Sequence, residues 1–127
     1  MDSLKFEDAA LYLRVKRMEV LASNIANADT PGYQAKDINF RAALEETQRQ
    51  MLTVQSTNKT HLGNITSASI DPQIAYRPVS QNSLDRNTVD LDQERASFTE
   101  NAIRTQFAMN QAVDEYVEMG RMLSNLV

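Results

Sequence analysis

Three groups of residues carry side chains whose types could do chemistry. His61 is the one histidine in 127 residues. Imidazole is a metal ligand or proton shuttle, but His61 stands in the polar run TVQSTNKTHLGNITSAS. It has no cysteine partner and no H-x-x-x-H or H-E-x-x-H spacing, so a metal site is not expected. The carboxylates fall in two groups, Glu45-Glu46 and Asp90, Asp92, Glu94. The first reads more simply as a solvated helix face. The second reads as a helix start, with Asp90 as N-cap and Gln93 closing a variant capping box. Asp92 and Glu94 then lie in the first turn, where the macrodipole favours acids. DLDQE lacks the oxygen spacing and the glycine of a calcium loop. With no cysteine there is no thiolate chemistry and no disulfide framework. No phosphate-binding or nucleophile-elbow motif is present. No catalytic, cofactor-binding or metal residue is therefore expected, and the chain does not read as an enzyme.

The third group is NIANADTPGY, residues 24–33. Thr30-Pro31-Gly32-Tyr33 predicts a type II turn, in which Pro31 presets φ and Gly32 supplies φ > 0. Thr30, preceding proline, is pushed out of the α region, so a helix must end near Ala28. Asn24 and Asn27 lie one turn back on one side of that helix. Their amides are expected to bond the backbone of the turn and set the direction in which the chain leaves. A lone glycine would stop a helix without them.

The elements that position this chemistry follow from spacing. Leu4, Leu11, Met18 and Ile25 are seven residues apart, and Val15 and Ala22 complete a 3-4 seam. Phe6, Ala9, Ala10, Leu13, Val20 and Leu21 form a second apolar face on the same helix. Such a helix needs neighbours on two sides. A C-terminal helix carries a longer seam through Leu91, Phe98, Ala102, Thr105, Met109, Ala112, Tyr116, Met119, Leu123 and Leu126, with a weaker face at Ala96, Ile103 and Phe107. Between them, DINFRAALEETQRQML predicts a short helix from Asn39 to Met51. TVQSTNKTHLGNITSAS reads as a polar loop or a weak β hairpin with its turn at Gly63-Asn64, and Pro72 and Pro78 keep DPQIAYRPVS extended. The expected fold is mainly α, a single domain with helices over 3–28 and 90–127 forming a coiled-coil-like pair around an irregular middle over 29–89.

Composition narrows the class. The net charge is −4 with both signs interspersed, which argues against nucleic acid and against an anionic membrane surface. The polar middle cannot bury enough apolar surface to offset its own ordering entropy. A small core, completed by partners, is the expectation. No stretch is apolar enough to cross a bilayer or to act as a standard secretory signal.

At these residues the sequence resembles a family. LASNIANADTPGY is similar to the N-terminal signature of the bacterial flagellar rod and hook axial proteins, and NIANADTPGYQAKDINF is most similar to the proximal rod members. SLDRNTVDLDQE resembles the segment before their C-terminal helix. The likeness covers residues 11–40 and 83–127 well and the middle poorly. It departs at position 86, where the pattern has glycine and this chain has Arg86, a difference that bears on the turn before Asn87.

The resemblance implies a signature turn at Asn24, Ile25, Asn27, Ala28, Thr30, Pro31, Gly32 and Tyr33. It implies a second motif at Asn87, Thr88, Val89, Asp90, Asp92 and Glu94. An assembly seam follows at Leu4, Leu11, Val15, Met18, Ile25, Phe98, Ala102, Met109, Tyr116, Met119 and Leu123. The function implied is a structural subunit of the proximal flagellar rod, part of the shaft that transmits torque. Its partners would be itself, other rod proteins, a FliE-type adapter, the MS-ring protein and the export apparatus. It would stand in the periplasmic basal body, exported without a cleaved signal. The competing reading is a soluble helical adapter or type III export chaperone, which shares the size, acidity and amphipathic helices but has no need of the Asn/TPGY turn.

Overall fold

The computed structural model describes residues 6–53, 72–78 and 84–126. Five elements follow in order: α1 (Phe6–Ala26), β1 (Lys36–Ile38), α2 (Phe40–Thr53), β2 (Ile74–Tyr76) and α3 (Leu91–Ser124). The chain is mainly α, with long terminal helices, as the spacing predicts. The Gly63-Asn64 turn, His61 and Leu4 lie outside the described residues.

Local chemistry sets the boundaries. Asp90 caps α3, its Oδ1 accepting from the backbone N–H groups of Asp92 (3.1 Å) and Gln93 (3.2 Å). Asn39 does the same for α2, accepting from the Ala42 N–H at 3.1 Å. β1 and β2 pair antiparallel, with Lys36 opposite Tyr76, Asp37 opposite Ala75 and Ile38 opposite Ile74. This sheet joins the two ends of the middle segment.

α1 and α3 run antiparallel. Asn24 meets Glu94, the Arg14 carbonyl meets Asn101, and Asp8 meets Tyr116. At about 1.5 Å per residue α1 spans about 32 Å and α3 about 51 Å, so α3 continues past the start of α1. The buried residues of α1 are Ala9, Leu13, Leu21 and Asn24. They belong to the second face, while the 3-4 stripe turns outward: Val15 is 42% exposed, and Leu11, Met18 and Ile25 are half-buried. Two-sided packing is met by two partners. Tyr12, Phe40, Ala43 and Leu44 close over Ala9 and Leu13, with the Arg14 guanidinium 4.3 Å from the Phe40 ring centre. α3 takes the other side with polar and small residues: Glu94, Asn101, Thr105 and Ala112 are the ones it buries.

Candidate functional site

The signature segment forms the predicted turn. Gly32 has φ +73°, and the Tyr33 N–H donates back to the Thr30 carbonyl at 3.3 Å. Nothing lies within 4 Å of where a Cβ would stand on Gly32. Glycine is needed there for the backbone angle and not for space. Before the turn, α1 ends by Asn27 folding back: its side-chain Nδ2 donates to the Ser23 carbonyl at 2.8 Å. The Thr30 hydroxyl then donates to Asn27 Oδ1 at 3.2 Å.

The second motif docks onto this turn. Gly32 N–H donates to the Asp85 carbonyl (2.8 Å), and Thr88 N–H to the Tyr33 carbonyl (3.0 Å). The Thr88 hydroxyl accepts from Ala35 N–H at 2.8 Å. At the centre is Asn87, 6% exposed. Its Nδ2 lies 2.9 Å from the Asn27 carbonyl and 2.8 Å from those of Ala28 and Thr30. Its Oδ1 accepts from Val89 N–H at 2.8 Å. A helix end leaves carbonyls without partners, and one amide gathers those of α1 with that of the turn. The preceding Arg86 has φ +58°. The turn before Asn87 thus places a left-handed backbone on a residue with a side chain.

The expected division of labour among the asparagines is corrected by this geometry. The turn carbonyls belong to Asn87. Asn27 serves its own helix, because its side chain lies one turn from Ser23. Asn24 reaches past the turn to Lys36, whose carbonyl accepts from Nδ2 (2.7 Å) and whose N–H donates to Oδ1 (3.0 Å). Asn24 is fully buried, and its second pair of bonds runs to Glu94 Oε2 (3.1 Å) and from the Tyr33 hydroxyl (3.2 Å). Two N–H donors and two oxygen lone pairs are all used. Asn24 thus holds the far edge of β1 and the first turn of α3 together.

Beside it lies a charge network that no local spacing announces. Arg17 on α1 grips Asp37 on β1 with two nitrogens at 3.0 and 3.1 Å. Arg77, just after β2, donates from Nη2 to Asp37 at 2.9 Å and from Nη1 to the Glu94 carboxylate. Burial pushes the Asp37 carboxyl upward. The hydrogen bonds from Arg17, Arg77 and the Ile38 N–H outweigh it and hold Asp37 below its ordinary 3.8. The bond to Asp37 likewise raises Arg17, against the pull of burial. Glu94, predicted as a first-turn acid, is in that turn but entirely buried. Gln93 stays exposed.

The remaining site residues separate by exposure. Ile25, Ala28, Val89, Phe98 and Ala102 are half-buried, and Asp92 is exposed. Met109, Tyr116, Met119 and Leu123 are 43%, 54%, 39% and 61% exposed, an apolar line along α3 that α1 covers only in part, through the Tyr116 hydroxyl on Asp8. Among the described residues, no cluster of three or more His, Asp or Glu could hold a metal, and no helix is long and apolar enough to cross a membrane. What the site does is mechanical. It fixes how the chain leaves α1 and how α3 begins against it.

Comparison with known proteins bears on the same segments. Residues 9–34 match the family described as flagella basal body rod protein. The flagellar basal body rod protein FlgB of Salmonella typhimurium strain LT2 is 44% identical over 115 residues, covering 84% of this chain and 82% of the relative. That of Escherichia coli strain K12 is 42% identical over 114 residues, 85% and 83% of the two chains. That of Aeromonas hydrophila is 46% identical over 102 residues, 79% and 76% of the two chains. Identity at this level covers more than three quarters of the chain, and the chain belongs to the flagellar basal body rod protein family.

Proposed function

We propose that the chain is a structural subunit of the proximal flagellar rod, part of the shaft that passes torque from the motor to the hook and filament. The observation that carries this reading is the exposed apolar line of α3, Met109, Tyr116, Met119 and Leu123, in a member of a rod-protein family. Such a line on a lone chain marks a contact surface. The outward stripe of α1 at Leu11, Val15, Met18 and Ile25 supplies a second. The clasp between the signature segments sets the angle at which those stripes are offered to neighbours. Leu4 extends the same seam by sequence.

Family membership supports the finer statements. The subunit stands in the periplasmic part of the basal body, reached through the flagellar export apparatus. It meets further copies of itself, other rod proteins, the FliE-type adapter and the MS-ring protein. The adapter or chaperone reading has less behind it, since the relatives are rod proteins. Deleting the gene and purifying basal bodies tests the proposal. The expected result is loss of the rod and of swimming, with this chain recovered in basal bodies after complementation. Basal bodies with complete rods in the deletion strain would refute it.

A further inference from the structure

We propose that Arg77 is a latch: its guanidinium, brought in by β2, is what allows Glu94 to be buried, so the α1–α3 pair closes at this end only when β2 has docked. The inference rests on the chain alone and not on the rod reading. Glu94 is 0% exposed, and its partners are the neutral amide of Asn24 and the guanidinium of Arg77. An ionised carboxylate sealed from water needs a cation. The groups around it come from every packed element. α1 offers Arg17, already held by both oxygens of Asp37. β1 offers Asp37, a like charge. The Lys36 ammonium of β1 stands 5.6 Å from the Tyr76 ring centre, and the opening of α3 adds the carboxylates of Asp90 and Asp92 and the exposed Arg95. Without Arg77, Glu94 would keep only the through-space attraction of Arg17, whose hydrogen bonds go to Asp37.

Arg77 can serve both carboxylates because β2 places it between them. Its backbone N–H donates to the Ala35 carbonyl at 2.9 Å, extending the ladder by one bond. From there Nη2 reaches Asp37 and Nη1 reaches Glu94. The strand itself is three residues long with exposed side chains, and so brief a ladder is weakly held by its own pairing. The coupling is reciprocal. Whatever draws β2 away leaves Glu94 without its cation, and whatever opens the α1–α3 contact at Glu94 removes half of what holds β2.

The test uses the full chain, with Arg77→Gln, Glu94→Gln and the double variant. Hydrogen exchange is followed at the α1 amides from Leu21 to Asn24 and at β1, at pH 7.5. Arg77→Gln should exchange faster there at pH 7.5 by on the order of a hundredfold, the scale of breaking a buried pair. The double variant should regain much of the protection at pH 7.5, and it provides the reading if Arg77→Gln fails to fold there. Two results would overturn the latch: native-like protection in Arg77→Gln, or a double variant as unprotected as Arg77→Gln.

Discussion

The side-chain nitrogen of Asn87 lies 2.9 Å from the carbonyl of Asn27, sixty residues earlier in the chain. It also meets the carbonyls of Ala28 and Thr30. One amide therefore closes the end of α1 and holds the segment leading into α3. Asn87→Leu would leave the Ala28 carbonyl without a donor and Val89 N–H without an acceptor, while the Asn27 and Thr30 carbonyls keep the N–H groups of Thr30 and Tyr33. The expected loss is about 2–4 kcal/mol, built from one to two uncompensated buried groups. Urea denaturation of the purified chain reads it, as a lower midpoint with an unchanged slope. A loss below about 0.5 kcal/mol would show that water replaces the amide.

Asn24 and Asn27 should separate in the same assay. Asn24 is fully buried with four bonds, whereas Asn27 Nδ2 makes an exposed bond to its own helix. Asn24→Leu should cost about 2–4 kcal/mol and Asn27→Leu less than about 1 kcal/mol, Leu being the better helix former. Gln34→Ala, on an exposed position, is the neutral control. Equal losses for the two asparagines would contradict the geometry.

Arg86 bears a left-handed backbone, φ +58°, which costs a residue with a Cβ about 1–2 kcal/mol. Glycine removes that strain but adds about 0.5–1 kcal/mol of entropy to the unfolded chain. Arg86→Gly should therefore stabilise the protein by about 0.5–1 kcal/mol, visible as a higher thermal midpoint. Arg86→Ala should gain nothing. A stabilising alanine would mean that the side chain, and not the backbone, is the burden.

Acid should weaken the clasp in a defined window. Asp37 is held below its ordinary 3.8 when folded, so its contribution is complete above the unfolded value and is lost as pH falls through the folded one. Stability from this group should stay level from pH 7 to about 5 and decline below about 4. Asp37→Asn should flatten that decline and cost about 2 kcal/mol at pH 7, because Arg17 and Arg77 lose their shared partner. Denaturation midpoints between pH 3 and 7 for both chains check it. An unchanged acid decline in Asp37→Asn would assign the effect elsewhere.

How much of this was legible in the sequence depends on the distance over which each cause acts. The spacing of Leu11, Met18 and Ile25 marks a helix because helical periodicity is local. Thr30-Pro31-Gly32-Tyr33 marks its turn for the same reason, as Asp90 marks the start of α3. Which face of α1 turns inward was not legible, since both faces are apolar. The choice is made by α2 and by the polar face of α3 at Asn101 and Thr105. Glu94 read as a first-turn acid because its partners Asn24 and Arg77 are 70 and 17 residues away. Arg17, Asp37 and Arg77 drew no notice at all. An ion pair closed by tertiary packing leaves no periodic trace. The role of Asn87 was hidden too, although the motif that contains it was recognisable.

The apolar line on α3 is the proposed subunit contact in the rod, and a single substitution at Leu123 tests it. Leu123 is 61% exposed in the lone chain, so Leu123→Asp should leave the midpoint of the purified subunit within about 0.5 kcal/mol of the unmodified chain. In an assembled rod the same aspartate would be desolvated without a partner, at a cost of several kcal/mol per copy. Swimming and the amount of this chain in purified basal bodies are measured for Leu123→Asp, with Gln111→Asp as the exposed control. Leu123→Asp should be stable and exported, yet missing from basal bodies and unable to swim, while the control swims. Normal swimming with normal incorporation of Leu123→Asp would contradict it.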